Sequence, residues 1–404
     1  MQTQPKPHIL TCSYMEPPQV NTYRNDRRPS LDLDAIPREI TPRDQEAFRR
    51  CTNVELTEEE RQRILQPERS FPQQEEILAV HWHPEHVPMD LIVKRLQRLY
   101  PNRGDQLIIP TQHNELMSLG GFSGVEVDCY SRGFKRKVQL LLHFEDGKVR
   151  EATVLRNMLA HTFKYRTSQL FEYMQTVLDP AFENRLQRAA GKTNSDEEIV
   201  AFTRIHVAKL QQLIENNWAA TPKESFKNKL VRNFFEELRG LYDDRIVNKA
   251  QVFLKAAKEE VKEHFSLTYF YRASEIIEEA RSLGAGIVIP HPEQFWPILL
   301  ADYDVDGIEV WNPQSREYTE FLISAVQRQN RLRARKDRPV LVFMGDDCHM
   351  GEKLKAPEQR DPEKGVREVG LQPAWDDLSI SKHLIVQGVS RASVIEEYRA
   401  RLAS

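Results

Sequence analysis

The sequence predicts an α/β fold, either an α/β barrel or a doubly wound sheet, and two observations carry that prediction. Short runs rich in Val, Ile and Leu recur at 76–81, 106–111, 124–129, 137–143, 286–291, 306–311, 339–345 and 384–387. Runs of about 4–8 such residues suit strands buried on both faces of a parallel sheet. Loops and helical patterns separate many of them, and alternation of strand and helix is the signature of the α/β class.

The remainder of the chain frames these runs. Nine of the 23 prolines fall between Pro5 and Pro72, so residues 1–73 read as a Pro-rich N-terminal extension that packs on or wraps the main domain. Within it, Thr41-Pro42 places an N-cap before a first-turn proline, and Thr57 with Glu60 forms a capping box ahead of Ile64, with Pro67 as the stop. Residues 74–404 read as the main domain. Between about 150 and 270 the apolar residues take helical spacing, as in 170–177, 199–218 and 230–254, which predicts a helical insertion. Thr221-Pro222-Lys223-Glu224 reads as a further helix start inside it.

Composition excludes several classes. Lys plus Arg number 57 and Asp plus Glu 60, a net charge of -3, which argues against retention on nucleic acid by bulk charge. No run approaches the ~18 apolar residues that span a bilayer, and Met1 to Tyr14 lack the pattern of a signal peptide. Cys12, Cys51, Cys129 and Cys348 lie far apart without a CxxC pair, which fits a reducing, cytoplasmic setting.

The chemistry lies where the strands end. His81 and His83 close the first run in Ala79-Val80-His81-Trp82-His83-Pro84, and His113 follows the second. Glu126 stands in the third, His291 ends a later one, and Asp347 and His349 follow Phe343-Met344-Gly345-Asp346. Five strands thereby deliver imidazole or carboxylate to one sheet edge, the edge where active sites of α/β proteins assemble. An H-x-H pair on a strand puts both rings on one face. Imidazole nitrogen and carboxylate oxygen together suit Zn, Mn or Fe. Such ions lower the pKa of bound water and clamp a phosphoryl group during displacement.

These motifs resemble the PHP (polymerase and histidinol phosphatase) superfamily of metal-dependent phosphoesterases. His81-Trp82-His83 is similar to its first motif, and Thr111-Gln112-His113-Asn114 to its second, written T-D-H-D or T-D-H-N. Gly124-Val125-Glu126-Val127 resembles its G-x-E segment, Ile289-Pro290-His291-Pro292 its A-H-P segment, and Asp306-Gly307-Ile308-Glu309-Val310 its D-G-I-E-V strand. Gly345-Asp346-Asp347-Cys348-His349 is similar to the closing S-D-x-H, and Arg204-Ile205-His206-Val207-Ala208 to an R-x-H-x-A helix of the nucleotide-hydrolysing branch. The resemblance runs from about residue 76 to 400.

It implies a distorted (β/α)7 TIM-like barrel with a helical insertion, carrying two or three divalent ions (Mn, Zn or Fe). It further implies that His81, His83, Glu126 and Asp347 hold one metal, with Glu126 shared. His291 would serve the neighbouring metal, and His113 and His349 a third. Three positions depart from the family pattern, and at one of them Gln112 replaces the usual Asp of the second motif. The Asp that follows H-x-H is missing, and Glu85, His86 or Asp90 stands near its place. A further family histidine aligns with Gln139, while His143 lies four residues along.

The expected activity is hydrolysis of a phosphate ester (nucleotide, sugar phosphate or short oligonucleotide) through metal-activated water. Glu126 and Asp347 would bridge the metals, a metal-held histidine or a nearby acid such as His86 would protonate the leaving oxygen, and Arg204 and His206 would bind the substrate phosphate. The alternative is a non-catalytic nucleotide-binding or assembly module with a degenerate metal site. Metal-dependent amide hydrolysis needs a bridging Lys on a strand, and none is so placed. Protein partners are not indicated.

Overall fold

The computed structural model of the chain describes residues 31–332 and 338–404, so Cys12 and the first thirty residues of the extension lie outside the described residues. Seven of the eight apolar runs become strands. Among the described residues the strands are β1 (Ile77–Ala79), β2 (Trp82–His83), β3 (Gln106–Ile108), β4 (Met117–Leu119), β5 (Phe122–Ser131), β6 (Arg136–Glu145), β7 (Gly286–Ile289), β8 (Gly307–Trp311), β9 (Leu341–Met344) and β10 (Cys348–His349). The fold is mixed α/β.

A six-stranded sheet runs in the order β4-β5-β6-β7-β8-β9, while β1 pairs with β3 and β2 with β10. Main-chain hydrogen bonds tie the pairs to the sheet. Glu126 N donates to Gln112 O, Thr111 N to Trp82 O, and Asp347 N to His81 O.

The expected parallel sheet is only half present. From β7 through β9 the pairing is parallel, but β4 to β7 pair antiparallel. For β4, β5 and β6 the reason is connection length: β5 ends at Ser131 and β6 starts at Arg136, too short a link for the dozen or more residues a parallel crossover needs, whereas β6 and β7 pair antiparallel across the long helical segment. Gly120-Gly121, with φ of 62° and 89°, makes the equally tight turn from β4 to β5. The expected strand at 384–387 is also absent. Asp377 accepts a hydrogen bond from Ser379 N and opens the helix Leu378–Ile385, which buries Leu384. A short apolar run does not by itself separate a strand from a helix.

Three apolar clusters organise the molecule. One surrounds the sheet and includes Val125, Val127, Leu140, Leu142, Val288 and Ile308. A second fills the helices that run from Tyr165–Leu178 to Asp244–His264, with Phe202, Phe234, Phe235 and Phe253 fully enclosed. The third lies around Trp82, Leu96 and Tyr100. Thr221-Pro222 opens only a 3-10 turn, Lys223–Ser225, before the helix Lys229–Glu236. Among the described residues no helix is long and apolar enough to cross a membrane.

The described part of the extension is tied to two of these clusters. The helix Glu58–Leu65 buries Ile64 in the third cluster. The helix Pro42–Thr52 buries Ala47 and Phe48 in the second. Its capping residue Asp44 accepts from Thr41 N and also from Lys209 Nζ at 2.9 Å, an ion pair with both side chains buried. Burial alone raises the Asp44 carboxyl, but Lys209 and Thr41 override it and hold the pKa below its ordinary value. Such a depressed carboxylate stabilises the fold above its unfolded pKa, and that share is lost as pH falls through the folded one. Lys209→Met strands a buried carboxylate and should cost about 3–5 kcal/mol in urea denaturation at pH 7. The gap to wild type should narrow as pH falls through the carboxyl range; a gap independent of pH would contradict the ion-pair account.

Candidate metal centre

Strand register brings the site together. β2 and β10 pair in parallel, with His83 opposite His349 and Trp82 opposite Cys348. Alternation then sends the four side chains to two faces: Trp82 and Cys348 enter the third apolar cluster, and the two histidine rings stack at 4.3 Å. A lone bridge sets His113 beside Glu126, and His113 stacks on the other side of His83, also at 4.3 Å.

The T-Q-H-N segment is held at both ends. Thr111 Oγ1 accepts from Trp82 N, and Asn114 exchanges hydrogen bonds with Asp128 through both side-chain atoms. Lys137 in turn pairs with Asp128.

Glu126 is the centre of the group and is 1 % exposed. His81 Nε2 stands 3.9 Å and His291 Nε2 3.5 Å from its Oε1, while His83 Nε2 stands 3.6 Å from Oε2 and His113 Nδ1 touches Oε2. Asp347 Oδ1 lies 3.7 Å from His81 Nε2 and 3.4 Å from both His83 Nε2 and His349 Nε2. Its other oxygen is already committed, since Arg367 and Gln314 donate to Oδ2 at 2.8 and 2.7 Å.

These atoms fit a divalent cation. Three of the separations, at 3.4–3.5 Å, match the ~3–3.5 Å between two atoms that hold one ion at about 2.1 Å each, and three more, at 3.6–3.9 Å, are too long for hydrogen bonds. His81 Nε2, both His83 nitrogens, His113 Nδ1 and both Glu126 oxygens are buried without a hydrogen-bond partner. Buried polar atoms are rarely left so. His81, His83 and Glu126 form one group able to hold an ion, and His83, His113 and His349 another.

The supporting residues fix the ligand atoms. His81 Nδ1 is 2.8 Å from Glu309 Oε1, so the ring donates there and turns Nε2 inward, the arrangement usual for a metal-bound histidine. Glu309 Oε2 accepts from His291 N at 2.8 Å. Gly345 makes room for that carboxylate: a Cβ there would stand 1.5 Å from Glu309 Oε1. Four non-glycine residues at the site, Glu85, Asn114, His291 and Asp347, have φ between 26° and 55°. Left-handed backbone costs energy in such residues and collects at functional sites.

Without metal the group balances its own charge. Burial opposes a proton on His81, but Glu309, Asp347 and Glu126 outweigh it and raise the pKa to about 10. Burial, with His113 and His349 as neighbours, lowers His83 to about 3. Burial would raise both acids, yet the surrounding rings hold Glu126 and Asp347 well below their ordinary values.

The open positions resolve in part. Glu85 Oε1 lies 3.3 Å from His349 Nδ1 and so stands at the group's edge. Asp90 pairs with Lys94 at the surface. His143 bonds Tyr398 Oη and Val80 O with its two nitrogens and has none free. Gln139 pairs in register with Asp128.

His86 lines a side cavity of about 350 Å3 with Cys51, Lys227 and Lys229. Among the described residues no hydrogen bond or ion pair joins it to the group. Arg204 and His206 belong to the helical layer instead. Arg204 donates to Val177 O and Glu183, and His206 is buried against Phe202, Phe235 and Tyr242. None of these partners is part of the histidine–carboxylate group.

No family model matches the chain, and no curated protein does. Among solved structures it is similar to a proposed metal-dependent phosphoesterase from Bifidobacterium adolescentis, at 16 % identity over 79 % of this chain and 99 % of that one. The TM-score of 0.37 is too loose a likeness to fix fold or activity.

Because Glu309 orients His81, Glu309→Gln should weaken metal binding about 10- to 100-fold. Gly345→Ala should do the same by displacing that carboxylate. Competition with a metallochromic chelator measures both, and unchanged affinity in either variant would remove Glu309 from this role.

Proposed function

We propose that the chain is a metal-dependent phosphoesterase of the PHP kind, built on a distorted (β/α)7 barrel with a helical insertion. The observation that carries the reading is the convergence of five buried or half-buried histidines on Glu126 and Asp347, with ligand atoms left unpaired. The barrel is supported by the hydrogen bonds that lead from β5 through 109–114 to β2 and on to β10.

Divalent ions bound there would supply hydroxide at neutral pH and neutralise phosphoryl charge. Glu126 offers one oxygen to His81 and His291 and the other to His83 and His113, so it is placed to be shared between two ions. Asp347, with Oδ2 pinned by Arg367 and Gln314, keeps Oδ1 turned toward His83 and His349. His349 and His113 are the more exposed ligands, at 21 % and 26 %, and mark the side from which a substrate enters.

Lys227 and Lys229 stand on that side without ion-pair partners among the described residues, and both are felt by Glu85. They offer positive charge to an anionic ester. His86 is less suited to the role of proton donor. Desolvation lowers its pKa, which disfavours the imidazolium form that a general acid needs at neutral pH. Substrate binding by Arg204 and His206 finds no support in their surroundings.

Elemental analysis combined with a panel of phosphomonoesters, diesters and single-stranded oligonucleotides tests the reading. The wild type should hold at least two ions per chain and release phosphate or nucleotide. Glu126→Gln should lose metal and slow release by at least about 100-fold with an unchanged circular dichroism spectrum. A variant that hydrolyses at the wild-type rate would overturn the mechanism. At most one weakly held ion and no hydrolysis would favour the non-catalytic module.

A further inference from the structure

Arg367, which pins the outer oxygen of Asp347, lies on a segment that belongs to no helix or strand, between the turns Pro357–Gln359 and Pro373–Trp375. Its backbone is held by side chains instead. Tyr100 Oη donates to Val369 O at 2.9 Å, and Gly370 N donates to Asp346 Oδ2 at 2.8 Å. Glu368, next to Arg367, makes the strongest attachment, with a side chain only 13 % exposed. Arg95 Nε and Nη2 donate to its two oxygens at 3.0 and 2.6 Å, and Lys353 Nζ donates to Oε1 at 2.9 Å. Bidentate, charge-assisted pairs of this kind fix geometry as well as charge. Burial by itself would raise the Glu368 carboxyl, but Arg95 and Lys353 hold its pKa below the ordinary value.

The two cations come from different parts of the molecule. Lys353 stands on the short helix Met350–Leu354, directly after His349, and also donates to Gly365 O at 2.7 Å. Arg95 stands on the helix Met89–Leu99 and turns its remaining edge to the N-terminal extension. Its Nη1 donates to Ile64 O at 2.8 Å and to Arg63 O at 3.2 Å, carbonyls in the last turn of the helix Glu58–Leu65. Carbonyls in a last turn lack partners within the helix, and a cation there is favoured by the helix dipole. A planar fork reaches the carboxylate and both carbonyls at once, which a lysine ammonium does not. Contacts thus run without a break from the extension through Arg95, Glu368 and Arg367 to Asp347.

We propose that Arg95 and Glu368 are positioning residues of the metal centre, and that the helix Glu58–Leu65 of the extension belongs to that centre through them. The assignment rests on the metal-binding part of the phosphoesterase reading, in which Asp347 is a ligand, and is independent of the substrate. It gives the extension a task besides packing, which is to set where Asp347 Oδ1 stands.

Chelator competition for zinc on the full chain tests the assignment. Arg95→Lys and Glu368→Gln should each weaken binding about tenfold, as loss of outer support does. Both act on one chain of contacts, so the double variant should bind no more weakly than either single one. Lys209→Met, which breaks a buried pair in the helical layer, should lower stability and leave zinc affinity at the wild-type value. By reciprocity, zinc should slow amide hydrogen exchange in residues 58–65 of the wild type by up to about tenfold, and should not do so in Glu368→Gln. If Arg95→Lys does not fold, Glu368→Gln and the exchange measurement decide.

Unchanged affinity in the folded variants, an equal loss in Lys209→Met, or exchange in 58–65 indifferent to zinc would overturn the assignment and leave the metal centre standing. A wild-type chain that binds no zinc would overturn the metal reading and this assignment with it.

Discussion

The carboxylate of Glu126 is buried in the middle of a strand, and that single burial constrains everything around it. An ionised carboxylate inside a protein is costly unless it is paired. Here no hydrogen bond reaches either oxygen, and the nearest groups are the nitrogens of four histidines. Protons on His81 and His291, whose pKa values the neighbouring carboxylates raise, offset that charge in part. Cations can replace the protons, because ligand atoms must be deprotonated to bind metal and binding releases them. The same carboxylate therefore explains why histidines surround it and why an ion belongs there.

The geometry follows from strand period and from strain at strand ends. β2 and β10 each send alternate residues to the site and to the apolar cluster behind it, so Trp82 and Cys348 anchor the backbone that carries His81, His83, Asp347 and His349. Left-handed backbone at Asn114, His291 and Asp347 turns three more functional segments inward. Such conformations persist only where neighbours over-determine them. Asn114 is strapped to Asp128, Asp347 to Arg367, and the His291 amide to Glu309.

The residues that the structure gathers around Glu126 were legible in the sequence because each sits within a few residues of an apolar run, in a short motif with strand spacing. The helical layer was legible for a similar reason, since its apolar residues keep one period over long stretches. What escaped depends on longer reach. Glu309 gave a signal, a lone carboxylate inside an apolar strand, but only the register of β8 beside β7 and β9 sets it against His81. Arg367 arrives from a loop twenty residues beyond Asp347, and nothing local marks it. Arg204 and His206 failed for the opposite reason: the R-x-H spacing is present, but the helix turns that face toward Glu183 and Phe235. The antiparallel strands were mistaken because period reports burial and not direction; the short links fix it for β4 to β6, and for β6 beside β7 only the pairing itself does.

Two of the apolar clusters flank the histidines, one through Val125 and Val127 beside Glu126 and one through Trp82 and Cys348. His81 and Glu126 are enclosed by the sheet, while the residues around Trp82 close the side behind β2 and β10. The third side is formed by the helical layer, whose segment 218–229 reaches the loops 113–116 and 85–86 through side chains and cavities rather than through a shared apolar core. Few buried contacts and several exposed charges make such a boundary the part most easily displaced. Metal ligands need fixed positions and a substrate needs passage, so a firm sheet facing a looser helical wall meets both requirements. The same division accounts for the charge. Acids concentrate in the sheet, where cations would neutralise them, while Lys227 and Lys229, without ion-pair partners among the described residues, stand on the helical wall.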